Sequence, residues 1–288
     1  MTDKPIQSTS GLAPALVPVR VATVATRARG SRLARFTAPL LTLAAVLAGW
    51  LFVSYAVLDP ARRFLLPPPQ DVLLHGLLSA GSLAELLPAL WSTTQVALVG
   101  LVISIAVGIT LGIVMSQARW LEYSLYPYAV VLQTIPILAI VPLLGFWFGF
   151  DFVSRVIVCV LVSLFPIITN TLFGLTSVDT GHHELFSLHG ATRGQRLVRL
   201  QLPAALPAIL TGCKISAGLS VIGAIIADYF FRQGDPGIGR LIDIYRQRLQ
   251  TEGLLSALVL SSVVGLVLFW SFDLLDRRVR RRRTAQST

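Results

Sequence analysis

The sequence predicts an all-α, polytopic membrane protein with about six transmembrane helices. Its 288 residues are 54% hydrophobic and only 13% charged, whereas a soluble domain has about 25% charged residues. The mean hydropathy is correspondingly high, at +0.73. Apolar runs of the roughly 20 residues that are needed to cross a bilayer recur along the chain. Because so few charges cannot cover a globular surface with solvated groups, we expect lipid to surround much of the chain.

Six apolar runs are predicted to be spans. They comprise residues 38–58, 92–115, 125–149, 153–175, 205–230 and 254–274. The first run is too long for the core of a secretory signal peptide, so it is interpreted as a retained span. The fourth is the least regular at its start, because Arg155 falls there. Pro136 and Pro142 are expected to interrupt the third, which is tolerated at membrane depth where the backbone faces protein or a cavity.

The charge at the two ends of the chain predicts its orientation. Residues 1–37, predicted to be a disordered basic segment, and residues 273–288 together hold nine of the ten net positive charges. We therefore expect a transmembrane domain over 38–274 and a basic cytoplasmic tail over 275–288. With the N-terminus inside, the inner segments carry 16 Lys and Arg and the outer segments carry 6, which predicts both termini in the cytoplasm. Basic ends that flank spans favour contact with anionic lipid over nucleic-acid binding.

Two segments on the predicted outer side have the apolar spacing of a helix. They are residues 70–90, which follow a run of three prolines, and residues 238–249, which follow a Gly-Asp-Pro-Gly turn. Both are interpreted as short amphipathic helices that lie in the outer interface. A docking or gating role and simple interfacial packing explain this pattern equally well.

Small residues inside the spans are interpreted as packing positions. Cys159 and Cys213 lie in apolar runs without CxxC spacing, and the four histidines form no ligand set, so neither a disulfide framework nor a metal site is predicted. Four-residue glycine spacing permits close approach of helices, and we expect it to serve packing within the chain rather than a dimer seam. The two pairs are Gly108 with Gly112 and Gly145 with Gly149.

The inner loop between the fourth and fifth predicted spans, residues 176–204, carries the most informative pattern. It predicts two short helical segments on either side of Gly190, which allows a turn with positive φ, and Pro203 is expected to close the second segment. An amphipathic element set between two spans is suited to transmit a push from a cytoplasmic partner. An ordinary interfacial helix would have the same periodicity.

The spacing in this loop resembles the signature of binding-protein-dependent ABC import permeases, E-A-A-x3-G-x9-I-x-L-P. The matching residues are Glu184, Gly190, Leu200, Leu202 and Pro203. The chain departs from the family at Leu185 and Phe186, which stand where the signature has two alanines. The resemblance implies that this loop, including Ala191 and Arg193 after the glycine, forms a coupling helix that docks on an ATPase subunit.

Segments from about residue 67 onward resemble, in order, the nitrate/sulfonate/taurine-type branch of that family. They are Leu66–Pro69, Ile135–Pro142, Phe146–Gly149, Phe165–Ile167, Leu202–Pro207 and Thr211–Gly212. The resemblance implies a type I importer permease in a bacterial plasma membrane. It also implies three kinds of partner: a second permease copy, cytoplasmic ATPase subunits and an extracytoplasmic binding protein. The implied solute is a nitrate- or sulfonate-like anion or a thiamine-precursor-like heterocycle, and residues 223–228 with the turn after them favour the heterocycle.

The machinery for ATP hydrolysis is missing from the sequence. A phosphate-binding loop ends in Lys followed by Ser or Thr after a glycine-rich turn, and neither of the two lysines, Lys4 and Lys214, has that context. The chain is therefore predicted to be no enzyme and to bind no cofactor, with ATP and Mg²⁺ used by the partner ATPase.

The alternative is a transporter or channel driven by an ion gradient, which should show intramembrane acidic relays or inverted repeats. Asp228 is the only acidic residue that we assign to a span, and no internal symmetry is evident in the sequence.

Residues of the spans are predicted to form a translocation path or gate, because polar groups that face lipid are costly. The set comprises Gln133, Pro136, Pro142, Asn170, Lys214, Ser220 and Asp228. Lys214 and Asp228 lie on one helix about 21 Å apart, so they cannot pair with each other. Asp228 would equally suit a capping or interfacial role, whereas for Lys214 the interfacial role is favoured, because its long side chain can reach the inner interface.

Overall fold

The computed structural model describes residues 32–231 and 233–286, and the regular structure in these ranges is helical. Residues 1–31 of the segment 1–37, which is predicted to be disordered, therefore lie outside the described residues. The chain divides into two units, residues 1–47 and residues 48–288, and the packing described below is that of the second. The all-α fold class is confirmed.

Eleven α-helices follow one another in the described part of the chain. They are α1 (Arg32–Phe52), α2 (Pro69–Asp71), α3 (Ala80–Gln117), α4 (Arg119–Thr134), α5 (Ile137–Phe148), α6 (Phe152–Thr176), α7 (Thr180–Leu188), α8 (Arg193–Arg196), α9 (Leu202–Phe230), α10 (Ile238–Gln247) and α11 (Thr251–Gln286). Wider π-helical turns occupy Val53–Val57, Val72–Leu77 and Leu197–Gln201, and a 3₁₀ segment occupies Pro60–Leu65.

The described residues contain five uninterrupted helical segments long and apolar enough to cross a membrane. They are Thr37–Val57, Ala80–Gln117, Phe152–Thr176, Arg193–Phe230 and Thr251–Val279. Helices α4 and α5 pass the same test only as a pair, bent by 99° at their junction. Counting that pair as one broken span gives six, which confirms the predicted number.

The segment predicted as a separate amphipathic helix over 70–90 is organised differently. A helical stretch ends at Leu77, and α3 begins at Ala80 and continues without interruption through the second span. The side chain of Ser79 accepts a hydrogen bond from the backbone N–H of Ser82, and this N-cap starts the new helix. Residues 80–90 are therefore the first turns of the spanning helix, and that prediction was wrong.

The third span is broken at one of its two predicted prolines. Pro136 lies between α4 and α5, and because it has no N–H the carbonyl of Leu132 lacks its usual helical partner. Pro142 lies inside α5, which continues to Phe148, so the prediction of a second interruption was wrong. The residues on either side of Pro142 are held by packing, since Val141 and Leu144 are buried.

The fifth span begins earlier than predicted. Pro203 does not close the helical segment after Gly190, because a π-helical turn over Leu197–Gln201 joins α8 to α9 and Pro203 lies in the first turn of α9. The helix consequently runs from Arg193 to Phe230, with a π-helical turn before α9. The predicted loop is thus continuous with the span that follows it.

Helix α6 is the centre of the bundle and packs most extensively on α9 and α3. Small residues let these helices approach closely: a Cβ atom at Gly108 would overlap Ile167, and one at Gly112 would overlap Thr171. A Cβ atom at Gly145 would meet Phe150 of the same chain. Packing within the chain is therefore confirmed at these three glycines. Cys159 and Cys213 are free and buried, as the packing interpretation predicts.

The second predicted amphipathic helix, 238–249, is confirmed as α10. Its buried face carries Ile238, Leu241 and Tyr245, which form a cluster with Leu86 of α3 and Ala257 of α11. Helix α10 therefore covers the end of the bundle where α3 begins and α9 ends.

Candidate functional site

The loop between α6 and α9 is built as a short helix with a defined stop. Helix α7 ends in two hydrogen bonds of the Schellman type: the N–H of Gly190 donates to the carbonyl of Ser187, and the N–H of Ala191 donates to that of Phe186, each at 3.0 Å. Gly190 has a φ of +66°, in the left-handed region that suits glycine. A capping box at Thr192 and Gln195 then starts the next helical segment.

This loop presents an apolar and basic surface. The apolar side chains of Leu185 and Leu188 are 51% and 85% exposed. A neighbouring cavity of about 470 Å³ is lined by Leu185, Phe186, His189, Ala191, Gln195 and Arg199. Glu184 and Arg193, two of the predicted coupling residues, are exposed on the same loop.

The loop is also anchored to the two helices that flank it. Leu197 and Leu202 pack against a buried cluster that contains Leu175 of α6 and Ala205 of α9. Leu200 is half-buried and Pro203 is exposed. The predicted coupling residues therefore divide into a mostly exposed group up to Arg193 and a group around the start of α9 in which Leu200 and Leu202 are partly packed.

The break in the third span borders a cavity of about 250 Å³. Gln133 is the polar side chain among the residues that line it, and the rest of the lining is apolar, including the ring of Phe165. The residues that line this cavity include no charged side chain. Pro136 is exposed at the break, next to this cavity.

Lys214 lies at the contact of α9 with α11. Its Nζ atom is 2.8 Å from Oδ1 of Asp273 and 2.9 Å from Oδ2 of Asp276, and its side chain is 14% exposed. The structure therefore gives Lys214 two acidic partners in the last span, although the sequence analysis assigns only Asp228 to a span as an acid. That assignment was wrong, because Asp273 already lies inside the predicted span 254–274.

We expect Lys214→Met to loosen α11 from α9. The substitution removes two charge-assisted hydrogen bonds of a type that generally contributes about 1.5–3 kcal/mol each, and leaves two carboxylates without this partner. The midpoint of thermal unfolding in detergent should fall clearly. Arg277→Met is the matched control, because Arg277 also contacts Asp273 but is 69% exposed, and exposed pairs contribute little. Equal shifts for the two variants would contradict this role for Lys214.

A second charged cluster, the Arg155–Asp228 junction, is buried at the C-terminal end of α9. Nη1 of Arg155 is 3.3 Å from Oδ1 of Asp228, and the two side chains are 4% and 0% exposed. The hydroxyl of Thr93 on α3 donates to Oδ2 of Asp228 at 2.5 Å. Three helices that are distant in sequence therefore meet at one carboxylate.

The same junction holds the turn between α9 and α10. The guanidinium of Arg155 donates to the carbonyl of Gln233 at 2.6 Å and to that of Asp235 at 3.0 Å. The N–H of Ile238 donates to the hydroxyl of Thr93 at 2.8 Å. At Gly237 an added Cβ atom would overlap the carboxylate of Asp228, so glycine permits this close approach.

Two ionisable groups on α10, Asp243 and Tyr245, have pKa values that their surroundings shift. Hydrogen bonds from Arg246 and Gln247 keep the pKa of Asp243 below its usual range. Burial, together with the hydrogen bond from the Tyr245 hydroxyl to Glu85, raises the pKa of Tyr245 to about 12.

The remaining residues predicted for a translocation path are spread over the bundle. Asn170 donates to the carbonyl of Pro166 in its own helix, and Ser220 is buried and donates to the carbonyl of Ala217. The structure therefore does not bring all seven predicted residues to one cavity. It adds Arg155 and Thr93, which sequence reasoning missed as site residues. A charge at the edge of an apolar run was the one available signal for Arg155.

Comparison with protein families matches residues 104–281 to the model described as "Binding-protein-dependent transport system inner membrane component". Among curated proteins, the chain is 33% identical over 220 residues to the formylaminopyrimidine transport permease protein ThiX of Halalkalibacterium halodurans, covering 75% of this chain and 84% of that protein. It is 30% identical over 248 residues to the putative aliphatic sulfonates transport permease protein SsuC of Bacillus subtilis, covering 85% and 87%.

The fold is also found in a solved structure. The inward-facing MetNI methionine ABC transporter contains a chain that superimposes with a TM-score of 0.61. The match covers 70% of this chain and 99% of that one, at 17% sequence identity. The arrangement of helices is therefore similar even where the side chains have diverged.

Proposed function

Because the chain belongs to the family of binding-protein-dependent transport system inner membrane components and is the permease subunit of an ATP-binding-cassette importer, we propose that loop 176–204 receives the force of ATP hydrolysis from separate ATPase subunits. In this proposal the ATPase subunits bind ATP and Mg²⁺, and this multi-pass chain forms the path of the solute and binds no cofactor. The signature residues Glu184 and Gly190 identify the loop.

The geometry of the loop supports this proposal. Leu188 is 85% exposed on a short helix, and an apolar edge of this kind suits the groove of a partner protein. The loop is continuous with α9 and packed against the end of α6. A force on α7 therefore reaches α9 through the turn at Gly190 and through α8, which is continuous with α9.

The proposed assembly contains two copies of this permease, two ATPase subunits and an extracytoplasmic binding protein. Both termini and loop 176–204 face the cytoplasm of a bacterial cell, in accordance with the distribution of Lys and Arg. The turn that carries Gln233 and Asp235, together with α10, then faces the extracytoplasmic side. The path between the copies is proposed to follow the broken span, where Pro136 leaves backbone groups without helical partners.

A small, uncharged heterocycle is the proposed solute class. The cavity at the broken span offers an amide at Gln133, the ring of Phe165 and no charged side chain among its lining residues. Such a lining suits hydrogen bonding and stacking, whereas an oxyanion is usually met by cationic donors. Relatives are named for both classes, a formylaminopyrimidine and aliphatic sulfonates. The uncharged lining of the cavity is what favours the heterocycle over the anion.

The test is uptake into proteoliposomes that contain the permease and its ATPase, with the binding protein outside and ATP inside. We expect uptake that requires hydrolysable ATP and is unaffected by a protonophore, because the energy enters through the loop. A non-hydrolysable ATP analogue serves as the control. Uptake that persists without ATP and collapses with the proton gradient would establish the ion-gradient alternative instead.

The solute class is tested separately with the purified binding protein. We expect an aminopyrimidine-type heterocycle to raise its thermal midpoint and to be taken up by the complete system. Taurine and nitrate are the comparison ligands under the same conditions. Uptake of these anions without uptake of the heterocycle would contradict the proposed class and leave the proposed energy coupling intact.

A further inference from the structure

The Arg155–Asp228 junction connects α3, α6 and α9 at the end of the bundle opposite loop 176–204. Asp228 lies in the last turn of α9, Arg155 in the first turn of α6, and Thr93 on α3. The carboxylate and the guanidinium are both buried, at 0% and 4% side-chain exposure. Because a charge buried without its partner is unfavourable, these groups hold one another in a single arrangement.

Three hydrogen bonds join this junction to the segment that follows α9. Arg155 binds the carbonyls of Gln233 and Asp235, and Thr93 accepts from the N–H of Ile238. Added Cβ atoms at Gly237 or Gly239 would collide with Asp228 or with the backbone of α9. The start of α10 is therefore fixed directly on the ends of α6 and α9.

Both of these helices lead without interruption to the loop at the other side of the membrane. Helix α6 has 25 residues, a length of about 37 Å, and it ends next to loop 176–204. Helix α9 begins in that same loop and ends at the junction. A displacement of the loop therefore reaches the junction through two packed helices, and the junction passes it to α10.

We infer that Arg155, Asp228 and Thr93 are positioning residues that transmit movement between loop 176–204 and α10, and that α10 is the element that senses the loaded binding protein. This inference rests on the proposed function. Helix α10 suits that role because its buried face packs on the bundle while Arg246, Gln247 and Arg248 are exposed. It is therefore held by the transport helices and open to a polar partner.

The first experiment measures whether the junction holds α10. Hydrogen–deuterium exchange is followed in the complete permease–ATPase complex for Asp228→Asn and for Thr93→Val. We expect the amides of Ile238 and of α10 to exchange about tenfold faster, as for the loss of one charge-assisted hydrogen bond, while those of α3 near Gly108 keep their protection. Thr93→Ser, which keeps the hydroxyl, should retain slow exchange. Unchanged exchange in both Asp228→Asn and Thr93→Val would overturn the inference.

The second experiment measures transmission as the ratio of ATP hydrolysis with and without loaded binding protein. We expect Asp228→Asn and Arg155→Lys to lose this stimulation and to keep the basal rate, since loop 176–204 is unaltered. Asp151→Asn is the matched control, because Asp151 is an exposed acid at the start of α6 whose side chain makes no capping hydrogen bond. A purely structural role would lower both rates together, and that result would overturn the inference.

The two experiments separate a failure of this inference from a failure of the proposed function. If the wild-type complex shows ATP-dependent uptake and stimulation that the variants retain, the inference is wrong and the function stands. If the wild-type complex shows no ATP-dependent uptake, the proposed function is wrong, and transmission to a binding protein is overturned with it. The exchange experiment then still decides whether the junction holds α10.

Discussion

Replacing Gly190 by proline is expected to lower ATP-driven uptake by more than about tenfold while the spans remain folded. Proline fixes φ near −65°, whereas Gly190 has a φ of +66° and donates its N–H to Ser187. The substitution therefore removes the turn that orients α7 relative to the helix after it. Uptake and ATP hydrolysis are measured in the same proteoliposomes, and we expect hydrolysis to continue without transport.

Two variants at the same position make this expectation specific. Gly190→Asn should keep most of the uptake, because asparagine tolerates the left-handed conformation, and an added Cβ atom meets no neighbour there. Gly190→Ala should lie between asparagine and proline. Wild-type uptake by the proline variant would contradict a coupling role for the loop. A loss of monodisperse protein would instead indicate that the turn is needed for folding.

Replacing Gly108 by valine is expected to prevent most of the protein molecules from folding. A Cβ atom at this position would overlap the side chain of Ile167 on α6, and overpacking by even one or two methyl groups generally costs about 1–3 kcal/mol. Valine adds more than a Cβ, and it acts at the contact between the second and fourth spans. We expect a large loss of monodisperse protein in detergent and a lower thermal midpoint in the remainder.

Gly265→Val is the matched control for this substitution. Gly265 lies on α11, and an added Cβ atom there meets no heavy atom within 4 Å. The control should therefore be obtained at wild-type yield, although both substitutions place valine in a spanning helix. Equal yields of the two variants would contradict the close α3–α6 contact.

The spans and the loop were predictable because both depend on residues that are near one another in the sequence. A run of about 20 apolar residues defines a span whatever its neighbours are. The spacing from Glu184 through Gly190 to Pro203 lies within 20 consecutive residues. The boundaries were less predictable, since a single hydroxyl at Ser79 caps the start of α3 and Pro203 lies inside a continuous helical segment instead of ending one.

The prolines of the third span show the same limit. Both Pro136 and Pro142 remove a backbone donor, and the sequence offers no way to rank them. Only the structure shows that the chain turns by 99° at the first and continues through the second. Val141 and Leu144, on either side of the second proline, pack in a cluster with residues of α6 and α9, and such packing is not visible in local pattern.

The sequence alone determined that this chain has about six spans and that residues 184–203 carry the spacing of a permease signature, because hydropathy and motif spacing are properties of consecutive residues. The tertiary structure alone decided the partners of its buried charges. Arg155 and Asp228 are 73 positions apart, and Lys214 and Asp273 are 59 apart. Their pairing follows from how α6, α9 and α11 cross, because a charge in an apolar helix is stabilised by whichever opposite charge the packing brings within reach.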